Sequence, residues 1–353
     1  MKLYSKKLLI FIGGRANLPL PLQEPRPHVG RVRHQAGVLR ATHQARPHPK
    51  PAGPRDGPPA TQGDPMRKSR YTVTESTFDV GDGLDIAYTD YRPVEDKGLA
   101  PILYLPGFMR TARDFDRVAP LLADERRIVT IDTRGRGKAA RARDASAYHF
   151  DRLIEDVWAL AGHLGIERMV LAGLALGAFM AWRMGAAQPD RVVGIIANDT
   201  GTETSSPSGK KMIANADHGS YTLDEAAEKL RNALAPHFPD FGPEDWRVYA
   251  RQIYADRGQG YVRDFDPLWL EELKRFKADT PTLWPEFARL TCPVALLRGE
   301  NSDYLSREQA QKMADALPDC TLVHVQCRGH SNLLDEPASL GTIRAVLARC
   351  DQR

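Results

Sequence analysis

The chain has 353 residues, of which 42% are hydrophobic, enough for one large core with room for an insertion or a tail. No apolar run approaches the ~18 residues that a membrane-spanning helix needs, so a soluble chain is expected. The formal net charge of +4 is unevenly placed: residues 1–65 carry 11 Lys and Arg against 3 Asp and Glu, and the rest carries 38 against 42, which argues against a basic face for nucleic acid.

Residues 1–65 also hold 11 of the 26 prolines and lack apolar periodicity. Such a stretch cannot offset the entropy of ordering, so a disordered Pro/Arg-rich extension is expected there, with Met66 as the expected true start. The apolar run at 8–12 is too short for a secretory signal. Cys292, Cys320, Cys327 and Cys350 show no CxxC spacing and no metal-ligand cluster. Reduced, partly buried thiols in a cytoplasmic protein are expected, with no metal and no cofactor.

From Met66 the pattern becomes that of a folded domain. Short apolar stretches flank Gly81-Asp82-Gly83, a turn signal that predicts an antiparallel hairpin. Apolar runs at 102–105, 128–131, 169–172, 193–197, 294–297 and 321–325 read as strands buried on both faces. Helical periodicity covers 150–164, 175–187 and 307–317. Strand–helix alternation predicts an α/β fold, with a doubly wound and mostly parallel sheet. One interval breaks the rhythm, because some 90 residues separate two core strands between Gly201 and Leu290. Helical stretches at 223–234, 244–255 and 268–277, rich in aromatics, predict a helical cap over 202–288. The core is then split into 70–201 and 289–353, and the cap should lie over the C-terminal ends of the strands, where open α/β sheets bind ligands.

The stretch most informative for chemistry is Ala172-Gly173-Leu174-Ala175-Leu176-Gly177. A strand runs into Gly-x-residue-x-Gly and then a helix, the spacing of a nucleophile elbow. Glycines are needed on both sides because a side chain there would strike the neighbouring strand and helix. In this context the chain resembles the α/β-hydrolase family, in its cap-bearing esterase, lactonase and C–C hydrolase branch, over residues 76 to 348. Pro106-Gly107-Phe108 is similar to the family's H-G-x loop, with proline for histidine. The resemblance implies an oxyanion hole formed by the backbone N–H groups of Phe108 and Leu176. Asp132-Thr133-Arg134-Gly135-Arg136-Gly137 looks like the family's D-x-R-G-x-G turn, whose role is structural. Gly329-His330 followed by Asp335-Glu336-Pro337 is similar to its terminal motif and implies His330 as general base. For the acid that orients this histidine the resemblance implies Asp303, after a core strand, with Asp199 as the competing candidate.

The departure is Ala175, which stands where the family's hydrolases carry serine. A methyl group cannot attack a carbonyl, and loss of the nucleophile in a triad enzyme costs on the order of 10⁶ in turnover. Three readings stay open at this point. The chain is a hydrolase whose serine has been replaced, an enzyme that works through its His–Asp base without a nucleophile, or a binding protein that uses the pocket as a receptor does. In each the ligand is a small, partly apolar, carbonyl-bearing molecule such as an ester, lactone or β-diketone. No nucleic-acid or membrane partner is expected, and the oligomeric state is open.

Overall fold

The computed structural model describes residues 70–204, 207–214 and 216–353. The expected extension at 1–65 and the expected start at Met66 lie outside the described residues. The described chain opens with strands β1 (Tyr71–Asp79) and β2 (Asp85–Pro93), which pair antiparallel. Gly81 and Gly83 turn the hairpin with φ of 94° and 79°, a conformation that glycine adopts without steric cost.

The α/β alternation follows: β3 (Ile102–Leu105), α1 (Ala119–Leu122), β4 (Ile128–Asp132), α2 (Phe150–His163), β5 (Met169–Leu174), α3 (Leu176–Ala187) and β6 (Val192–Asn198). The inserted segment contains α4 (Pro207–Ala214), α5 (Leu223–Leu234), α6 (Pro243–Ile253), β7 (Tyr254–Asp256), β8 (Tyr261–Arg263), α7 (Trp269–Asp279) and α8 (Trp284–Phe287). The chain closes with β9 (Val294–Gly299), α9 (Arg307–Ala316), β10 (Cys320–Val325) and α10 (Pro337–Cys350).

Eight strands form one sheet in the order β1-β2-β4-β3-β5-β6-β9-β10. Only the β1–β2 and β2–β4 pairs are antiparallel; the remaining pairs run parallel, so the sheet is mostly parallel as expected. Every residue of β3, β4, β5, β6 and β9 is buried, which explains why those runs are continuously apolar rather than alternating. On α2, Leu153, Val157, Leu160 and Ala161 are buried at i, i+4, i+7 and i+8, the single apolar stripe of a helix with one face to the core. Helix α3 is apolar almost all round. It is enclosed by β3, β5 and β6 on one side and by α2 and α8 on others.

All four cysteines are free. Cys350 of α10 packs so closely on Gly194 of β6 that a Cβ there would overlap its Sγ. No helix of the described residues is long and apolar enough to cross a membrane.

The inserted segment differs in two ways from the expected purely helical one. First, the helix expected over 244–255 ends at Ile253, and Tyr254–Asp256 is instead extended and pairs with Tyr261–Arg263 across a turn at Gly258 (φ 77°). The glycines at 258 and 260 allow a tight reversal, and the pairing gives Tyr254 and Arg263 a cross-strand contact that a longer helix would forgo. Second, the segment packs as two bodies. Phe265, Trp269, Leu273, Phe276 and Phe287 join the main core, whereas Ala226, Leu230, Phe238, Trp246, Tyr249 and Ile253 form a separate one. Helix α5 starts where expected because Thr222 and Glu225 form a reciprocal capping box.

The tightest point of the fold is the approach of α3 to β3, where a Cβ on Gly177 would overlap the Leu105 carbonyl. Replacing Gly177 by alanine therefore forces backbone to move, and a loss of roughly 3–5 kcal/mol is expected in urea unfolding. A Gly177→Ala protein of unchanged stability would contradict this packing.

Candidate active site

Strand β5 is followed by Ala175 at φ 46° and ψ −110°, a left-handed backbone that alanine adopts only under constraint. The constraint is visible on three sides. A Cβ on Gly173 would strike the backbone at Gly177 and Ala178, the Gly177 Cα abuts Leu105, and the Ala175 N–H donates to Thr200 Oγ1 at 2.7 Å. Thr200 in turn donates to the Asn198 carbonyl at 2.7 Å, which ties the elbow to the end of β6.

The loop after β3 is fixed by Arg136. Its Nη1 donates to the Gly107 carbonyl at 3.0 Å, and its guanidinium lies 3.9 Å from the centroid of the Trp269 ring. The C=O and N–H of one trans peptide point in opposite directions, so holding the Gly107 carbonyl also fixes the direction of the Phe108 N–H. Among the described residues neither the Phe108 N–H nor the Leu176 N–H donates to a protein acceptor. Arg136 is fully buried, and burial pushes its guanidinium down to about 9 despite the nearby Asp132. The rest of its turn is structural, as the resemblance implied. Asp132 accepts from the N–H groups of Ala112 (2.7 Å) and Lys138 (3.1 Å), and Arg134 pairs with Asp156 at 2.6 Å.

His330 sits on the loop after β10, with its Nδ1 2.9 Å from Asp199 Oδ2 and its ring stacked on Tyr304 at 4.1 Å between centroids. Asp199 is fully buried and follows β6 with φ 46°. Its Oδ1 accepts from the Gly299 N–H (2.9 Å) and its Oδ2 from Ser302 Oγ (2.6 Å). The carboxylate faces the ring as an acceptor, so the imidazole N–H belongs on Nδ1 and the lone pair on Nε2. This corrects the expected acid. The carboxylate placed on His330 is that of Asp199, the competing candidate, and not that of Asp303, which is exposed and lines the cavity described next. The physical reason is the turn after β9: the Gly299 N–H and Ser302 Oγ both point to Asp199.

Ala175, Phe108, His330 and Asp303 line one cavity of about 650 Å³, bounded on the far side by residues of α5, α6, β7 and β8. That volume suits a small ligand. Leu176 does not line it, although its amide follows the elbow directly. Beneath the loop, Lys277 Nζ lies 5.1 Å from the Phe108 ring centroid, buried without a hydrogen-bond partner. Among the described residues no group of three His, Cys, Asp or Glu side chains could hold a metal ion. Sequence reasoning ranked Asp199 second, passed over Thr200 and gave Arg136 only a structural role within its turn. The signal for the first two was present, since the apolar run of β6 breaks abruptly into Asn198-Asp199-Thr200.

Two outcomes follow from these contacts. Asp199→Asn would turn an amide N–H₂ toward groups that already donate, and a loss of about 2–4 kcal/mol is expected in urea unfolding. An Asp199→Asn protein of unchanged stability would contradict these contacts. For Lys277, burial and the neighbouring Lys210 push the ammonium down to about 8 from an ordinary value of 10.5. Between those limits the unfolded chain binds the proton and the folded chain does not, so this side chain makes stability rise with pH through that window. Lys277→Met is expected to stabilise at pH 7, with an advantage that shrinks toward pH 10 in thermal melts.

Comparison with known proteins identifies the family and the fold. The model of the alpha/beta hydrolase family matches residues 102–340. The crystal structure of an alpha/beta hydrolase from Novosphingobium aromaticivorans is similar with a TM-score of 0.72 and 32% identity, over 80% of this chain and all of that one. Among curated proteins, a 3-hydroxybutyrate-oligomer hydrolase of Cupriavidus necator is 26% identical over 66% of this chain and 83% of its own. A 2-(acetamidomethylene)succinate hydrolase of Mesorhizobium japonicum is 24% identical over 72% of this chain and 89% of its own.

Proposed function

Because the chain belongs to the alpha/beta hydrolase family, we propose that its cavity binds a small carbonyl-bearing substrate, an ester, a lactone or a β-diketone, above an elbow whose nucleophile position holds only the methyl of Ala175. The observation that carries this reading is the pair of buried Asp199 and half-buried His330, the imidazole lying on the wall of the cavity that Ala175 also lines. The hydrolases among its relatives support the reaction class.

In this reading the substrate carbonyl lies over Ala175 with its oxygen on the N–H groups of Phe108 and Leu176, which act as the oxyanion hole. Backbone donors do not depend on side-chain identity, so the hole survives the missing hydroxyl. The His330 Nε2 lone pair is the general base, and Asp199 holds the ring and balances the charge that forms on it. No acyl-enzyme forms on the chain as it stands, because position 175 offers no nucleophilic oxygen and its neighbours Leu174, Leu176 and Ala178 are apolar. A cytoplasmic setting suits the four free thiols.

The completeness of the Asp199–His330 pair favours a second reading, in which His330 takes a proton directly from the bound substrate or from water and no nucleophile is needed. A substitution separates the two. Under the first, Ala175→Ser should raise hydrolysis of a short-chain p-nitrophenyl ester by several orders of magnitude, and His330→Ala should abolish the gain. Equal activity of the unsubstituted and the Ala175→Ser proteins, lost in both on His330→Ala, would transfer the assignment to the second. No turnover in either form would leave a binding protein.

A further inference from the structure

Three cations line the cavity, and two of them are already engaged. Arg110 grips Asp114 through Nε and Nη2 at 2.6–2.9 Å and donates to Tyr249, while Lys229 stands 3.3 Å from Asp217. Arg263 is different. Among the described residues its guanidinium makes no hydrogen bond and no ion pair, and its Nε is buried without an acceptor. The Tyr254 ring lies 5.5 Å away at the paired position of the β7–β8 ribbon, and Tyr254 lines the cavity too.

The local charge inventory sharpens the point. Asp264, next in the chain, is claimed by Arg113, Arg141 and Arg257 together. Asp264 is thus already engaged, and the remaining carboxylate that acts on Arg263, Asp114, does so without an ion pair and is itself held by Arg110. An unpaired buried cation is expensive to keep, and one that faces a ligand cavity is offset by a ligand of opposite charge. The planar fork of arginine matches a carboxylate through two parallel hydrogen bonds.

We propose that Arg263 is the carboxylate-binding residue of the cavity, so that the substrate is an acid carrying its ester or other reactive carbonyl at one end and a free carboxylate at the other. The proposal rests on the cavity being the substrate pocket. It adds a charge requirement that neither the elbow nor the Asp199–His330 pair imposes. The ribbon β7–β8 then has a function, since its three-residue strands place Arg263 and Tyr254 side by side on the cavity wall.

The test is isothermal titration calorimetry on the full chain with Ala175 in place, which binds esters without forming an acyl-enzyme. The probes are monomethyl succinate and dimethyl succinate at neutral pH, which differ by a charge in place of one methyl group. The half-ester is expected to bind at least about ten-fold more tightly, the range of a charge-assisted pair. Arg263→Gln should bring the two probes to within a few-fold of each other. Arg263→Lys should keep part of the preference, because it restores the charge but not the fork. Equal or tighter binding of the diester by the unsubstituted protein overturns the proposal without recourse to any variant. So does binding of neither probe at millimolar concentration, and so does a preference that survives in Arg263→Gln. Hydrolysis of the diester by the Ala175→Ser protein is read separately. No hydrolysis with the preference intact removes the catalytic reading and keeps the anion site, and hydrolysis without a preference does the reverse.

Discussion

Helix α3 lies against strand β3 with no room for a single methyl group between them, and the rest of the site follows from that approach. Gly177 sits on the Leu105 carbonyl. The helix can therefore begin only after a bend so abrupt that Ala175 takes a left-handed backbone. The bend brings the first amide of α3 next to the loop that follows β3, and Arg136 fixes that loop from below through the Gly107 carbonyl. Thr200 then links the bend to the end of the adjacent strand β6, and Asp199 stands one residue before that link. Elbow, amides and acid are thus set by contacts among three neighbouring parallel strands. The residue at 175 can be exchanged without disturbing this frame, because the geometry depends on the glycines and carbonyls around it.

Two charged side chains in this region, Asp199 and the part-buried Arg263, are handled in opposite ways. The Asp199 carboxylate is surrounded by donors from β9 and the turn after it as well as by the imidazole, so its charge is stabilised wholly within the protein. Arg263 lacks such partners. The cost of burying it is left to be met by something outside the chain, which is the usual difference between a group that organises a pocket and one that selects what enters it.

Much of the fold was legible in the sequence, because strands buried on both faces leave unbroken apolar runs and α2 leaves a stripe at helical spacing. The runs at 102–105 and 294–297 appear as β3 and β9, and the helix read at 223–234 has the observed bounds. The ribbon β7–β8 escaped because three-residue strands are shorter than any period can reveal, and Tyr249 to Tyr254 continues the helical spacing of α6. The elbow and His330 were legible as spacing. The acid was not, since the choice between Asp199 and Asp303 depends on which way the backbone leaves two adjacent strands. A left-handed residue at 199 settles it, and an aspartate gives little sign of that in a sequence.

The loop that carries His330 is fastened to the inserted segment as well as to the sheet beneath, where Asn332 bonds to Asn198 of β6 and Leu297 of β9. Leu333 is counted in the apolar cluster of α5 and α6, Arg328 pairs with Asp240 and lies over the Phe241 ring, and Gly329 is pressed against the His237 side chain. A displacement of α5 or α6 would therefore pull on this loop against the bonds that hold it to β6 and β9, so the setting of the imidazole depends on the inserted segment as well as on the sheet.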